Sequence, residues 1–83
     1  MQGPKEFAMP KLGEILLVTH SDIHSNGSEV APAIVTRVWS FDCVNLSVFP
    51  DMGSPKLLSS VCHINRGCLD PNMNPCGWYR EGE

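Results

Sequence analysis

Residues 32–49 read PAIVTRVWSFDCVNLSVF, and this stretch decides the fold class. Val44, Leu46 and Val48 alternate with Asn45 and Ser47. A period of two is the mark of an antiparallel strand with one face buried and one solvated, so residues 43–49 read as a strand. Upstream, residues 32–39 are rich in β-branched side chains, which fit a pleated surface. On a regular strand Ala33, Val35, Arg37 and Trp39 would share one face, and Ile34, Thr36 and Val38 the other. Pro32 has no N–H to give to a ladder, which places it at the strand's start or on an edge. Residues 40–42 between the two runs are short enough for a hairpin connection.

The same reading extends in both directions. Residues 14–19 (EILLVT) form a short, apolar, partly β-branched run that favours a strand. Residues 20–29 (HSDIHSNGSE) are polar and contain Asn26-Gly27, a turn signal because both residues tolerate positive φ. They read as a long loop between the first two strands. Residues 50–55 (PDMGSP) form a turn, residues 57–63 (LLSSVCH) a fourth strand, and residues 78–80 a short fifth. Residues 65–77 are dense in Gly, Pro, Asn and Asp and read as irregular. No internal repeat and no helical period stands out. The expectation is an all-β, small SH3-like or similar five-stranded barrel spanning residues 11–83, preceded by a flexible tail over residues 1–10. A barrel this small leaves little room for an enclosed site, so a ligand would sit on loops, on an open face or between protomers.

Composition narrows the function classes. The chain has 83 residues, enough for one modest core, and 42% are hydrophobic against 18% charged, which is not a disordered composition. The longest apolar run, residues 15–18, is far short of the roughly 20 residues that span a bilayer. The formal net charge is −3, and the six basic residues (Lys5, Lys11, Arg37, Lys56, Arg66 and Arg80) are dispersed along the chain. Non-specific nucleic-acid binding needs clustered cations and is disfavoured; one small anionic ligand is not. The first residues, MQGPKEFAMPKL, lack the apolar core of a secretory signal. A cytoplasmic protein is therefore expected, in which Cys43, Cys62, Cys68 and Cys76 stay reduced and behave as small buried hydrophobes.

No arrangement of nucleophile, base and oxyanion donor is legible, so the chain is read as a non-enzyme without a cofactor. His20, Asp22 and His24 alternate, but within a segment read as loop, where a polar turn accounts for them. Cys62, His63, Cys68 and Cys76 make a second metal candidate. It lacks close-spaced Cys-x-x-Cys knuckles, and adjacent strand residues point to opposite faces. The Asn45-Leu46-Ser47 acceptor sequence for glycosylation falls mid-strand and is discounted. The aromatic residues say more. Trp39 and Phe41 bracket the end of the second strand near Arg37, and Trp78 and Tyr79 stand beside Arg80. Aromatic stacking on a base with Arg on a phosphate is the usual chemistry of nucleotide recognition. Core or interface anchoring is the competing reading and the stronger one on general grounds.

The blocks KLGEILLVTH (residues 11–20), APAIVTRVWS (31–40), CVNLSVFPDMGSPKLLSSVCH (43–63) and GWYR (77–80) resemble a group of small proteins in tailed-phage and prophage genomes. The shared pattern is an A-I-V-T-x-V block, an N-L-x-V-F-P-D-x-G block, an S-V-P-H block and a Trp-containing end. Here S-V-C-H (residues 60–63) replaces S-V-P-H, and the Cys-rich stretch between Arg66 and Cys76 lies outside the pattern. The resemblance carries no catalytic residue. It implies either a minor structural or accessory phage protein or an anti-defence protein acting in the cytoplasm of an infected bacterial host. Anti-defence proteins include small oligomers that sequester nucleotide-derived immune signals, of cyclic nucleotide or cyclic ADP-ribose type. The leading expectation is thus a homo-oligomer that holds a small anionic nucleotide without cleaving it. Its candidate contacts are Arg37, Trp39, Phe41, His63, Arg66, Trp78 and Arg80. A phage structural or accessory interaction protein and a small zinc-binding domain are the alternatives.

Overall fold

A computed structural model describes residues 8–20, 30–51, 53–69 and 73–82. Within them the chain forms five strands: β1 (Ile15–Thr19), β2 (Val30–Val38), β3 (Cys43–Val48), β4 (Lys56–Cys62) and β5 (Gly77–Tyr79). A 3-10 turn, Ile64–Arg66, follows β4. The sheet order is β4-β3-β2-β1-β5, every neighbour antiparallel. The sheet curls until the end of β4 meets β5, where His63 and Trp78 form an isolated bridge. The result is an all-β, strongly curled half-barrel. Residues 1–7, most of the loop between β1 and β2 (residues 21–29, with Asp22, His24 and Asn26-Gly27) and Met52 in the 50–55 turn lie outside the described residues.

Cross-strand partners share a face, and the register sorts the sheet into an inside and an outside. Leu16, Val18, Ala31, Ala33, Val35, Val44, Leu46, Val48, Val61 and Trp78 fill the concave core. Burial of a Leu- or Val-sized side chain contributes roughly 1.5–3 kcal/mol each, which makes this row the main source of stability. The outer face carries Ile15 opposite Ile34, Ile34 opposite Ser47 and Ser47 opposite Leu57, a row across four strands.

Two bulges bend the sheet. Val35 pairs with Leu46, yet Arg37 pairs with Asn45, so Thr36 is an extra residue in β2. This corrects the regular alternation expected for residues 32–39. After the bulge Val38 turns inward against the core, and Arg37 and Trp39 turn out to solvent. The second bulge is in β4, where Val61 pairs with Val44 and Leu58 with Leu46. Ser60 there has φ of 56°, left-handed backbone that a non-glycine residue adopts only under local constraint.

Pro32 lies near the start of its strand, but β2 is a central strand, not an edge. The Phe49 N–H donates to the Pro32 carbonyl at 2.9 Å. Proline has no N–H to return the bond, and β3 ends at Val48. The β2–β3 turn is closed by Trp39 N–H on the Cys43 carbonyl at 2.8 Å.

Candidate functional site

The seven residues singled out from the sequence separate into two groups. Arg37, Trp39 and Phe41 stand exposed on the β2–β3 hairpin, Trp39 at 51% and Phe41 at 59% of full exposure. His63, Arg66, Trp78 and Arg80 are engaged in holding the half-barrel closed.

The second group is built around Asp42, at the tip of the same hairpin and only 3% exposed. The Trp78 Nε1–H donates to the Asp42 carbonyl at 2.8 Å, and the His63 N–H donates to the same oxygen at 3.0 Å. The Arg66 Nε–H donates to the Asp42 carboxylate at 2.6 Å. That hydrogen bond holds the Asp42 carboxyl below its ordinary value, against burial, which acts the other way. The His63 ring meets Trp78 edge-on, centroids 4.6 Å apart, and its Nδ1 accepts the Asn65 N–H at 3.1 Å. The indole of Trp78 is fully buried, so it has no face to offer a ligand within this chain; its role is that of a core anchor. His63 is likewise buried, 2% exposed.

Arg80 is committed to Glu14, with Nε to Oε2 at 2.6 Å and Nη2 to Oε1 at 3.1 Å. This pair ties the residue after β5 to the approach to β1. Hydrogen bonding from Arg80 lowers the Glu14 pKa, with burial opposing. An open groove of about 500 Å³ runs past Met9, Leu12, Glu14 and Arg80. The carboxylate there offsets the cation and weakens any claim on an anion.

The exposed group has a different construction. The Arg37 guanidinium lies over the Trp39 ring, 4.0 Å from its centroid. The Trp39 Nε1–H donates to Asn45 Oδ1 at 2.8 Å, and the same oxygen accepts the Ser60 N–H at 2.9 Å. Asn45 therefore fixes the indole to the sheet and satisfies the backbone of the β4 bulge. A groove of about 320 Å³ opens beside it, lined by Thr36, Asn45, Leu57, Leu58 and Ser59. The arrangement offers an exposed guanidinium, an oriented indole, an exposed phenyl ring and two hydroxyls. Asn45 and Asp42 were not singled out from the sequence as site residues. The one available signal for Asn45 was a polar amide opposite the core positions of β3.

The zinc set does not assemble. His63 turns inward under Trp78, whereas Cys62 pairs with Cys43 on the outward side of β3 and β4. Among the described residues no group of three or more His, Cys, Asp or Glu is placed to hold a metal ion. Of the alternating set His20, Asp22 and His24, only His20 is among the described residues. None of the four cysteines is in a disulfide. No helix among the described residues is long and apolar enough to cross a membrane.

Comparison with known proteins finds no matching family model, no matching curated protein and no matching solved structure.

Proposed function

We propose that this chain is a non-catalytic binding protein for a small anionic nucleotide. Its contact surface is the outward side of the β2–β3 hairpin. The observation that carries this reading is the stacked Arg37–Trp39 pair, pinned by Asn45 at the edge of an open groove. Arg37 pairs with phosphate, Trp39 and Phe41 stack on the base, and Thr36 and Ser59 supply hydroxyls to the sugar. His63, Arg66, Trp78 and Arg80 leave the contact set and act as its frame. Retention without cleavage needs affinity and abundance only. That suits a phage-encoded sponge for a cyclic nucleotide or cyclic ADP-ribose type of immune signal, acting in the cytoplasm of the infected host.

We read the half-barrel as SH3-like. The meander order, the long first connection and a 3-10 turn before the last strand support that assignment. We read the active form as a homo-oligomer. The outer row of Ile15, Ile34 and Leu57 supports it, Ile15 and Leu57 being 69% and 78% exposed. The same row favours the second reading, a phage structural or accessory protein that buries this face on a different protein.

Tryptophan fluorescence separates the two readings. Trp39 is exposed and Trp78 is buried, so the long-wavelength part of the emission belongs to Trp39. A nucleotide that stacks on the hairpin quenches that component and leaves the short-wavelength part intact. Trp39→Phe removes the quenching. Saturable quenching that survives in Trp39→Phe would place the ligand elsewhere, and no quenching by any nucleotide would favour the interaction protein.

A further inference from the structure

The strongest unassigned feature is a row of three thiols. Cys43 and Cys62 are directly opposed on β3 and β4. The neighbouring pair, Asp42 and His63, is hydrogen-bonded through the His63 N–H and the Asp42 carbonyl. Hydrogen-bonded and non-hydrogen-bonded pairs alternate along an antiparallel ladder, so Cys43 and Cys62 occupy a non-hydrogen-bonded pair, where opposed Cα atoms approach to about 4.5 Å. That separation lies within the range a disulfide spans. Cys62 thus faces Cys43 across the strands and shares a cleft with Cys68. Cys68 is exposed, and Cys62 and Cys43 are half-buried. Cys62, Cys68 and Cys76 line one cleft of about 120 Å³.

We propose that Cys68, Cys62 and Cys43 form a thiol–disulfide relay that ends in a Cys43–Cys62 cross-strand disulfide when the chain meets a low-molecular-weight disulfide such as oxidised glutathione. The Cys68 thiolate attacks one glutathione sulfur, and the other glutathione leaves as thiolate. The Cys62 thiolate then attacks the Cys68 sulfur, releases the second glutathione and forms Cys62–Cys68. Finally the Cys43 thiolate attacks the Cys62 sulfur, and Cys68 leaves and takes up a proton. Overall two protein thiols lose two electrons and two protons. One glutathione disulfide gains them and becomes two thiols. Exchange is driven by the Cys43–Cys62 register, which the fold already holds; Cys68 is the entry thiol because it is exposed.

Partial desolvation and the neighbouring Cys43 thiol raise the pKa of Cys62, and partial desolvation with Cys62 beside it raises that of the more exposed Cys68, so only a small thiolate fraction attacks near neutrality. Cys43 on β3, Arg66 on the 3-10 turn, Asp42 at the hairpin tip, and His20 and Cys76 in the cleft are the other titratable groups around them. Arg66 favours the thiolates, and the rate of oxidation should rise with pH between 7 and 9.

The test is equilibration of the whole chain in glutathione redox buffers, acid quenching, alkylation and non-reducing peptide mapping. A dominant Cys43–Cys62 crosslink is expected. Cys68→Ser should slow its formation about tenfold or more without lowering the final yield, and Cys76→Ser should change neither. Cys62→Ser should leave Cys43 fully alkylatable. A dominant Cys68–Cys76 crosslink would overturn the proposal, since the Cys76 N–H already bonds the Cys68 carbonyl at 3.1 Å and brings those residues side by side. So would a glutathione adduct that persists on Cys68, or four alkylatable thiols in fully oxidised buffer. The mapping of the unsubstituted chain decides between these outcomes even where a variant folds poorly.

Discussion

Arg37 and Trp39 illustrate how one extra residue assigns a role. On a regular strand both would lie on the face of Val35, in the core. Thr36 inserts a step, and both emerge into solvent with Asn45 as their anchor. Arg37→Ala should therefore abolish nucleotide binding while changing stability by no more than about 0.5 kcal/mol, the usual range for an exposed position. Denaturant unfolding beside a binding titration measures both. Unchanged affinity would remove Arg37 from the site. Trp78 is the converse case. Trp78→Phe keeps an aromatic ring against His63 but leaves the buried Asp42 carbonyl without its indole donor. It should cost about 1–3 kcal/mol, and Trp78→Ala about 3–5 kcal/mol. Gly77 is more restrictive still. Its φ is 150°, and a Cβ there would lie 2.6 Å from the Cys62 carbonyl oxygen and 2.8 Å from the Ile64 Cα. Both obstacles are backbone, so Gly77→Ala should prevent β5 from docking. A cooperative unfolding transition at the unsubstituted chain's midpoint would contradict this.

At the scale of elements, the strands were legible because each carries its own pattern. Alternation marked β3, and β-branched runs marked β1 and β2. Punctuation by Gly, Pro and Asn marked the connections. The bulges were not legible, since Thr36 and Ser60 look like any polar strand residue and the shift exists only in the partner's register. The closure of the half-barrel was hidden for a related reason. Glu14 and Arg80 lie 66 positions apart, and Asp42 and Arg66 lie 24 apart. Both contacts depend on β5 returning to β1 and on the hairpin tip reaching the 3-10 turn. Arg66 and Arg80 therefore looked like free cations in the sequence and are clamps in the fold. The consequence for pH follows. Both carboxyls have folded pKa values below their ordinary values of 4.5 for Glu14 and 3.8 for Asp42. Their contribution to stability is present above those ordinary values and is lost as pH falls through the lower, folded ones. The midpoint of thermal unfolding should hold steady from neutrality to about pH 5 and then fall. Asp42→Asn should lower it at neutral pH and shrink the acid-dependent part. An unfolding midpoint that rises on acidification would contradict the clamps.

For the whole molecule, an 83-residue half-barrel with one concave core has little surplus stability. Association over the row of Ile15, Ile34 and Leu57 would cover apolar surface that the single chain leaves in water. Leu57→Lys should shift the chain toward monomer in sedimentation without unfolding it, because Leu57 is 78% exposed. An unchanged sedimentation coefficient would exclude that row from the contact. Nucleotide binding by the hairpin side is the deciding property of the molecule. The most direct measurement is thermal unfolding of the chain with a panel of cyclic di- and trinucleotides and cyclic ADP-ribose isomers, run in parallel on Arg37→Ala. A ligand at 100 times its Kd adds about 2.7 kcal/mol, several degrees or more in a domain of this size. Such a rise is expected for at least one member of the panel, with its loss in Arg37→Ala; a folded chain that shows no rise with any member, or an equal rise in Arg37→Ala, would contradict nucleotide binding at the hairpin.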